Sequence, residues 1–273
     1  MSTELGLPSR SYQQEQVSPE PPETATFKVL GIRVDAVQIP DVIAKVERWI
    51  AERGSSRYIA VTGMHGITES RRDRRFRSIL GAADLVVADG MPLVWLGRWH
   101  GHAMARRVYG PELTEAFCSA TGSKYRHFFY GGAPGVADDL ARTLQQRHGI
   151  RIAGTYCPPF RPLTESEDRE LVDLIQAADP DVLWVGLSTP KQETWMYEHR
   201  DKLSVPAMFG VGAAFDLNTG RLKQAPRWMR EHGLEWLYRL IAEPRRLWRR
   251  YVVFGSIFVW NVTMELLGLK VFD

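Results

Sequence analysis

Cysteine is nearly absent from this chain: Cys118 and Cys157 are the two in 273 residues. They stand far apart and form neither a CxxC nor a Cys/His pattern, which argues against a disulfide scaffold and a thiolate zinc site and fits a reducing compartment. Long apolar runs are missing too. The most apolar late stretch, Tyr251 to Trp260, is about half the ~20 residues a helix needs to cross a bilayer, though it could lie on one. No GxGxxG with a following acidic residue is present, which disfavours a dinucleotide-dependent oxidoreductase. Carboxylates paired at ligand spacing are also lacking, so no Mg²⁺ or Mn²⁺ site and no cofactor is expected. The one D-x-D, Asp179-Pro180-Asp181, precedes its strand and reads as a turn at the amino end of the sheet. Met1 to Thr26 has no apolar core of a secretory signal and is dominated by Ser, Glu, Gln and Pro. It reads as a disordered tail outside the fold.

What is present is an alternation. Short apolar runs at Phe27 to Ile32, Tyr58 to Thr62, Leu85 to Ala88, His127 to Tyr130, Arg151 to Thr155, Asp181 to Leu187 and Val205 to Val211 read as strands. Between them lie helical patterns, among them Pro40 to Ile50, Ile67 to Leu80, Val136 to His148 and Glu165 to Ala178. Strand and helix in turn predict an α/β fold, a Rossmann-like parallel sheet with helices on both faces. With 44% apolar residues, the chain can bury a substantial core.

In such sheets ligands collect at the carboxyl ends of the strands. Asp89 directly follows the buried run Leu85-Val86-Val87-Ala88 and precedes Gly90, which makes it the first candidate for a general base; a turn or helix-capping role for Asp-Gly is the rival reading. The turn Gly131-Gly132-Ala133-Pro134-Gly135 joins a strand to a helix, a sensible phosphate cradle in which Gly131 and Gly132 allow close backbone approach. Lys191 and Gln192, after the strand ending at Leu187, are candidates for holding an anionic or sugar group. Arg107, before a Gly-Pro turn, is a candidate anion contact.

The net charge is only +3, but the basic residues cluster at Arg71 to Arg77 and again from Arg221 to Arg250. The first cluster reads as a solvated helix face. The second is studded with Trp and Leu and is divided by Pro226, Gly233 and Pro244 into three short helical pieces. Arg239, Arg246 and Arg249 fall on one side of a nearly continuous helix. Such a segment suits an anionic membrane surface; a nucleic-acid face and a plain packed subdomain remain alternatives. The expected division is a tail over 1–26, a catalytic domain over 27–220 and a helical membrane-docking appendage over 221–273.

Taken together, the stretches A-D-L-V-V-A-D-G, R-R-V-Y-G-P-E-L, F-Y-G-G-A-P-G-V-A, V-G-L-S-T-P-K-Q-E-T-W, G-V-G-A-A-F-D and A-P-R-W-M-R-E-H-G-L-E-W-L-Y-R-L-I-A-E-P-R-R-L-W-R-R-Y resemble the WecG/TagA/CpsF family of bacterial glycosyltransferases. That resemblance implies a metal-independent, inverting transfer of a sugar from a UDP-sugar to a polyprenyl-diphosphate-linked acceptor, in exopolysaccharide or cell-envelope glycopolymer synthesis. It also implies peripheral association with the cytoplasmic face of the membrane. By residue, it makes Asp89 the catalytic base with Thr62 beside it, assigns Arg107 and Gln192 to donor or acceptor, and gives Arg239, Arg246 and Arg249 the leaving diphosphate. Where many members carry Thr-x-Asn, this chain has Thr62-Gly63-Met64-His65; His65 is a candidate substitute polar contact or a partner in the base role, with a structural histidine at the strand end as the rival reading, and the identity of the sugar is left open. No nucleic-acid partner is implied, and the oligomeric state, a homo-oligomer included, is left open. The reading outside this family is a non-enzymatic basic α/β protein that binds nucleic acid or membrane.

Overall fold

Eight strands form one sheet in the computed structural model, which describes residues 24–272. The chain opens with β1 (Thr26–Val29) and β2 (Ile32–Asp35), crosses α1 (Ile39–Glu52) to β3 (Arg57–Thr62), and returns through α2 (Met64–Arg72) and α3 (Arg74–Gly81) to β4 (Leu85–Ala88). Helices α4 (Met91–Trp99) and α5 (Gly110–Thr121) lead to β5 (Arg126–Gly131), α6 (Val136–His148), β6 (Arg151–Tyr156) and α7 (Glu165–Ala178). Then follow β7 (Val182–Gly186), α8 (Lys191–His199), β8 (Ala207–Gly210) and α9 (Ala214–Asn218).

The sheet order is β1-β2-β4-β3-β8-β7-β5-β6, parallel throughout except for the edge pair β1 and β2. Each central strand is buried on both faces, as its unbroken apolar run requires. Val86 and Ala88 of β4 join one apolar cluster while Leu85 and Val87 join the other. The same alternation in β7 sends Leu183 and Val185 to one side and Val182 and Trp184 to the other.

Three local expectations need correction. The opening run is a hairpin and not one strand: Leu30 and Gly31 take positive φ angles of 51° and 78°, which reverses the chain so that β1 pairs antiparallel with β2. The helical pattern from Ile67 to Leu80 breaks into α2 and α3, because the Asp73 carboxylate accepts from Arg75 N at 2.8 Å and Phe76 N at 3.1 Å and so starts a new helix. The end of the expected tail belongs to the fold. Ala36 N donates to Ala25 O at 2.8 Å, Lys45 Nζ donates to Thr24 Oγ1 at 2.9 Å, and Thr26 opens β1. The remainder of that tail lies outside the described residues.

Beyond the sheet come α10 (Arg227–Glu231), α11 (Glu235–Ala242) and α12 (Pro244–Trp248), the three short pieces that Pro226, Gly233 and Pro244 delimit. A π-helical turn over Arg249–Val253 then joins α12 to α13 (Phe254–Leu266). Helix α13 packs on α2. Phe258 and Val262 from α13, with Phe272 just beyond it, enter the apolar cluster of the sheet, and Leu30 N donates to the Glu265 carboxylate at 3.2 Å. The C-terminal helices are thus tied at their far end to the same core as the strands.

Candidate active site

Strands β4, β3, β8 and β7 are successive neighbours in the middle of the sheet, and the loops that leave their carboxyl ends border a crevice there. A cavity of about 850 Å³ lies there, with Asp89 and Gly63 on its floor, Ser188, Thr189, Gln192 and Gly212 along one wall, and Arg107 and Tyr109 along another. Its roof comes from α11 through Glu235 and Arg239, from Arg246 and the π turn through Arg250 and Tyr251, and from α13 through Val259 and Trp260.

Asp89 is held by backbone geometry. Its N–H donates to Thr62 O at 2.9 Å, continuing the β3–β4 ladder one step past the strand, and its Oδ1 accepts from Gly110 N at 3.2 Å. The carboxylate is partly open to the cavity and surrounded by protein elsewhere. Burial pushes its pKa up to about 6; the nearby Glu235 charge adds to the rise, while Arg107, the Gly110 N–H and Arg239 oppose it. A carboxylate poised at about 6 is mostly ionised at neutral pH and is a better proton acceptor than an ordinary aspartate.

Arg107 donates to the Glu235 carboxylate, and Tyr109 Oη donates to Glu235 Oε1. The Arg107 guanidinium also lies over the Tyr109 ring, 4.0 Å from its centroid. The Arg107 and Glu235 side chains are only 12% and 7% exposed. Burial works against the Arg107 charge, but the Glu235 and Asp89 carboxylates outweigh it and raise its pKa. Burial followed by the Glu235 charge raises that of Tyr109, which therefore stays a neutral donor.

Polar atoms without partners gather at this floor. Thr62 Oγ1, His65 Nδ1 and Gln192 Oε1 are buried and bonded to nothing in the chain, the pattern expected where a ligand completes the hydrogen bonding. Gln192 Nε2 donates to Glu193 Oε1 at 3.1 Å, which turns the free amide oxygen over to the cavity wall. Burial, and then the Arg250 charge, bring the His65 pKa down to about 4. At neutral pH the ring is an uncharged hydrogen-bonding group, held edge-on to Phe254 with centroids 4.9 Å apart.

Of the residues singled out in the sequence, Asp89, His65, Arg107, Gln192, Arg239 and Arg246 line one cavity, and Thr62 lies immediately beneath it. Gly131, Gly132, Lys191 and Arg249 do not line it. Strand β5 stands four places from β4, about 19 Å at the usual strand spacing, which carries the Gly131 turn away from Asp89. There, a Cβ at Gly131 would meet Gly186 O at 2.6 Å and one at Gly132 would meet the Val136 side chain at 2.8 Å, so packing already requires both glycines. Lys191 and Arg249 are exposed. The expected helix through Arg239 and Arg249 is interrupted at Glu243, between α11 and α12, and underwound by a π turn in which Phe254 N donates to Arg249 O. A π turn takes up more residues than an α turn, so Arg250, four positions after Arg246, faces the cavity in place of Arg249. Tyr109, Glu235, Arg250 and Tyr251 were not singled out. Glu235 carries no local signal, being one of three glutamates, with Glu231 and Glu243, in the Arg- and Trp-rich segment.

Asp179 and Asp181 lie at the opposite edge. Asp181 accepts from Arg126 N at 2.8 Å and pairs with Arg53 at 3.2 Å, as a turn residue would. Among the described residues no three His, Cys, Asp or Glu side chains converge as a metal site would need. No helix among them is long and apolar enough to cross a membrane.

The chain is similar to three curated proteins named N-acetylglucosaminyldiphosphoundecaprenol N-acetyl-beta-D-mannosaminyltransferase. The one from Bacillus spizizenii is 30% identical over 215 residues, covering 78% of this chain and 81% of the relative. The one from Staphylococcus aureus is 26% identical over 248 residues, covering 90% and 96%, and the one from Bacillus subtilis is 31% identical over 182 residues, covering 66% and 68%. The family model described as "Glycosyl transferase WecG/TagA/CpsF family" matches residues 27–271, nearly the whole of the described fold with its cavity and roof, and the chain belongs to that family.

Proposed function

We propose that the protein is an inverting, metal-independent glycosyltransferase that moves a sugar from a UDP-sugar to a polyprenyl-diphosphate-linked acceptor in cell-envelope polymer or exopolysaccharide synthesis. The observation that carries this reading is Asp89, a carboxylate with a pKa near 6 on the floor of a cavity roofed by Arg239, Arg246 and Arg250. In the proposed reaction Asp89 takes the proton of the acceptor hydroxyl as that oxygen attacks the anomeric carbon. The bond from that carbon to the UDP oxygen breaks on the opposite face, and the electron pair leaves with the diphosphate. The roof arginines meet that developing charge, and in a site largely screened from water such contacts are worth more than at an exposed surface. Gln192 Oε1 and His65 Nδ1, both on cavity-lining residues, supply acceptors for sugar hydroxyl or amide groups, with Thr62 supporting the floor beneath.

The relatives' names make N-acetylmannosamine the first donor sugar to test and N-acetylglucosaminyl-diphospho-undecaprenol the first acceptor. Exposed Trp236, Ile241, Trp248, Val252 and Trp260 on the C-terminal helices, mixed with Arg245 and Arg249, support docking on an anionic membrane surface, where the lipid acceptor resides. The nucleic-acid reading gains nothing from the Arg71 to Arg77 cluster: Arg71 and Arg72 lie over the Phe272 and Phe254 rings, and Arg75 pairs with Glu198. UDP release from a panel of UDP-sugars with a short-chain prenyl-diphosphate sugar tests the proposal. Wild type should turn over at least one donor and Asp89→Asn should lose at least a hundredfold while still binding UDP; full activity in that variant removes Asp89 as base.

A further inference from the structure

Helix α11 seats on the sheet domain in an unusual way. Its apolar residues Trp236, Leu237 and Ile241 are exposed, and the one residue it buries fully is the acid Glu235. Of the ion pairs among the described residues, Arg107–Glu235 alone has both side chains less than 15% exposed. A carboxylate placed there without partners would be strongly disfavoured. It has two partners, Arg107 and Tyr109, and these flank the loop that delivers the Gly110 N–H to Asp89 Oδ1.

We propose that Glu235 is a positioning residue for the transfer reaction: it clamps the Arg107–Gly110 loop from above, fixing the donor N–H on Asp89 and bringing Arg239, one turn further along α11, over the reacting centre. The inference rests on the glycosyltransferase reading and deepens it. Glu235 touches no reacting atom. It acts through the loop and through its charge, which faces Asp89 together with Arg107 and Tyr109 from the loop, Arg239 from its own helix, and Arg250 and Tyr251 from the π turn. Because the clamp spans the roof and the floor, the base is fully assembled only when the roof is seated.

The experiment compares kcat and kcat/KM from pH 5 to 8 for the full chain, using the UDP-sugar that wild type turns over and a short-chain prenyl-diphosphate acceptor. Glu235→Gln keeps the shape and removes the charge. Its kcat should fall at least tenfold, and the acidic limb of its kcat/KM profile should move to lower pH by roughly half a unit or more, because a negative charge beside Asp89 is gone. Glu235→Asp restores the charge, and its limb should return towards the wild-type position. Tyr109→Phe keeps every charge and cuts one arm of the clamp, so kcat should drop about fivefold with the limb in place. A folded Glu235→Gln with an unmoved limb and wild-type kcat overturns the proposal, and so does wild-type kcat in Tyr109→Phe, whatever the first variant does. Asp89→Asn measured alongside separates the two claims. If it is inactive while the Glu235 and Tyr109 variants behave as wild type, only the clamp is lost; if it is active, the base assignment itself fails.

Discussion

A Cβ atom added to Gly66 would come within 2.0 Å of Thr62 Oγ1, at the point where α2 crosses the end of β3 beneath the cavity. Glycine inside a helix is ordinarily about 1 kcal/mol worse than alanine, so Gly66→Ala on an open helix would stabilise. Here Thr62 is buried and has little room to swing aside, so α2 must lift. We expect Gly66→Ala to lower stability by about 1–3 kcal/mol, seen as a lower urea midpoint with an unchanged slope. Turnover should fall with it, since His65 rides on the same turn.

Asp89 opposes folding at the pH where it works. Its pKa of about 6 in the folded chain lies above the ordinary 3.8, so the folded state holds this proton more tightly than the unfolded chain does. Stability is therefore lost as the pH rises from about 4 through 6, and the penalty is complete above that. Asp89→Asn removes the charge. At pH 7.5 the variant should be more stable than wild type by on the order of 1–3 kcal/mol, the lower end reflecting the carboxylate's contact with the open cavity. Melts at pH 7.5 and pH 4 check this: the gap should close at the lower pH, and a variant less stable than wild type at both would contradict it.

That Asp89 could be picked out from sequence follows from how parallel sheets advertise themselves. An unbroken run such as Leu85-Val86-Val87-Ala88 has both faces buried, so the polar residue that ends it stands at the ligand edge. Gln192 was visible by the same logic after β7. The Gly131–Gly132 turn failed as a cavity residue because a strand's neighbours are set by topology, and nothing local to Phe129 or Tyr130 says that β5 pairs with β7 and β6 at the far side of the sheet. Arg249 gave way to Arg250 for a similar reason, since a π turn has no simple residue pattern. The hairpin at Leu30-Gly31 and the cap at Asp73 were both written in turn chemistry that the stronger apolar periodicity masked. The role of Glu235 rests on partners 126 and 128 residues away, beyond the reach of any local pattern.

His127 should make the fold acid-sensitive. Its Nδ1 accepts from Trp184 Nε1 at 3.0 Å, and burial, then the Arg151 charge, bring its pKa down to about 4. The ring is neutral when folded, and a proton on Nδ1 would replace the indole bond. The unfolded chain binds that proton at the ordinary 6.5, so the full stability is present above pH 6.5 and declines as the pH falls towards 4. The loss from this residue is roughly 3 kcal/mol over that window. Urea unfolding at pH 7 and pH 4.5 should show it. His127→Phe, although weaker at neutral pH through the unpaired indole, should have a flatter profile; an equally steep one assigns the acid loss elsewhere.

The apolar side chains that α11 and α13 leave exposed include Ile241 at 72% and Trp260, which also borders the cavity, at 63%, and Arg245 and Arg249 stand exposed outside the cavity. If these groups meet a lipid surface, the two kinds should fail differently. Ile241→Ala with Trp260→Ala removes apolar area and should weaken binding to vesicles by ten- to a hundredfold at any salt, from about 1.5–3 kcal/mol of lost burial. Arg245→Gln with Arg249→Gln should cost about 1 kcal/mol per charge on anionic vesicles, nothing on neutral ones, and less as salt rises. Transfer of the sugar to a water-soluble acceptor analogue, read as UDP released, should be untouched by the Arg245 and Arg249 changes, since neither residue lines the cavity. Vesicle sedimentation with phosphatidylglycerol and with phosphatidylcholine separates these outcomes. Equal binding of all variants to both lipids would mean that the exposed Trp and Arg residues face something other than a membrane.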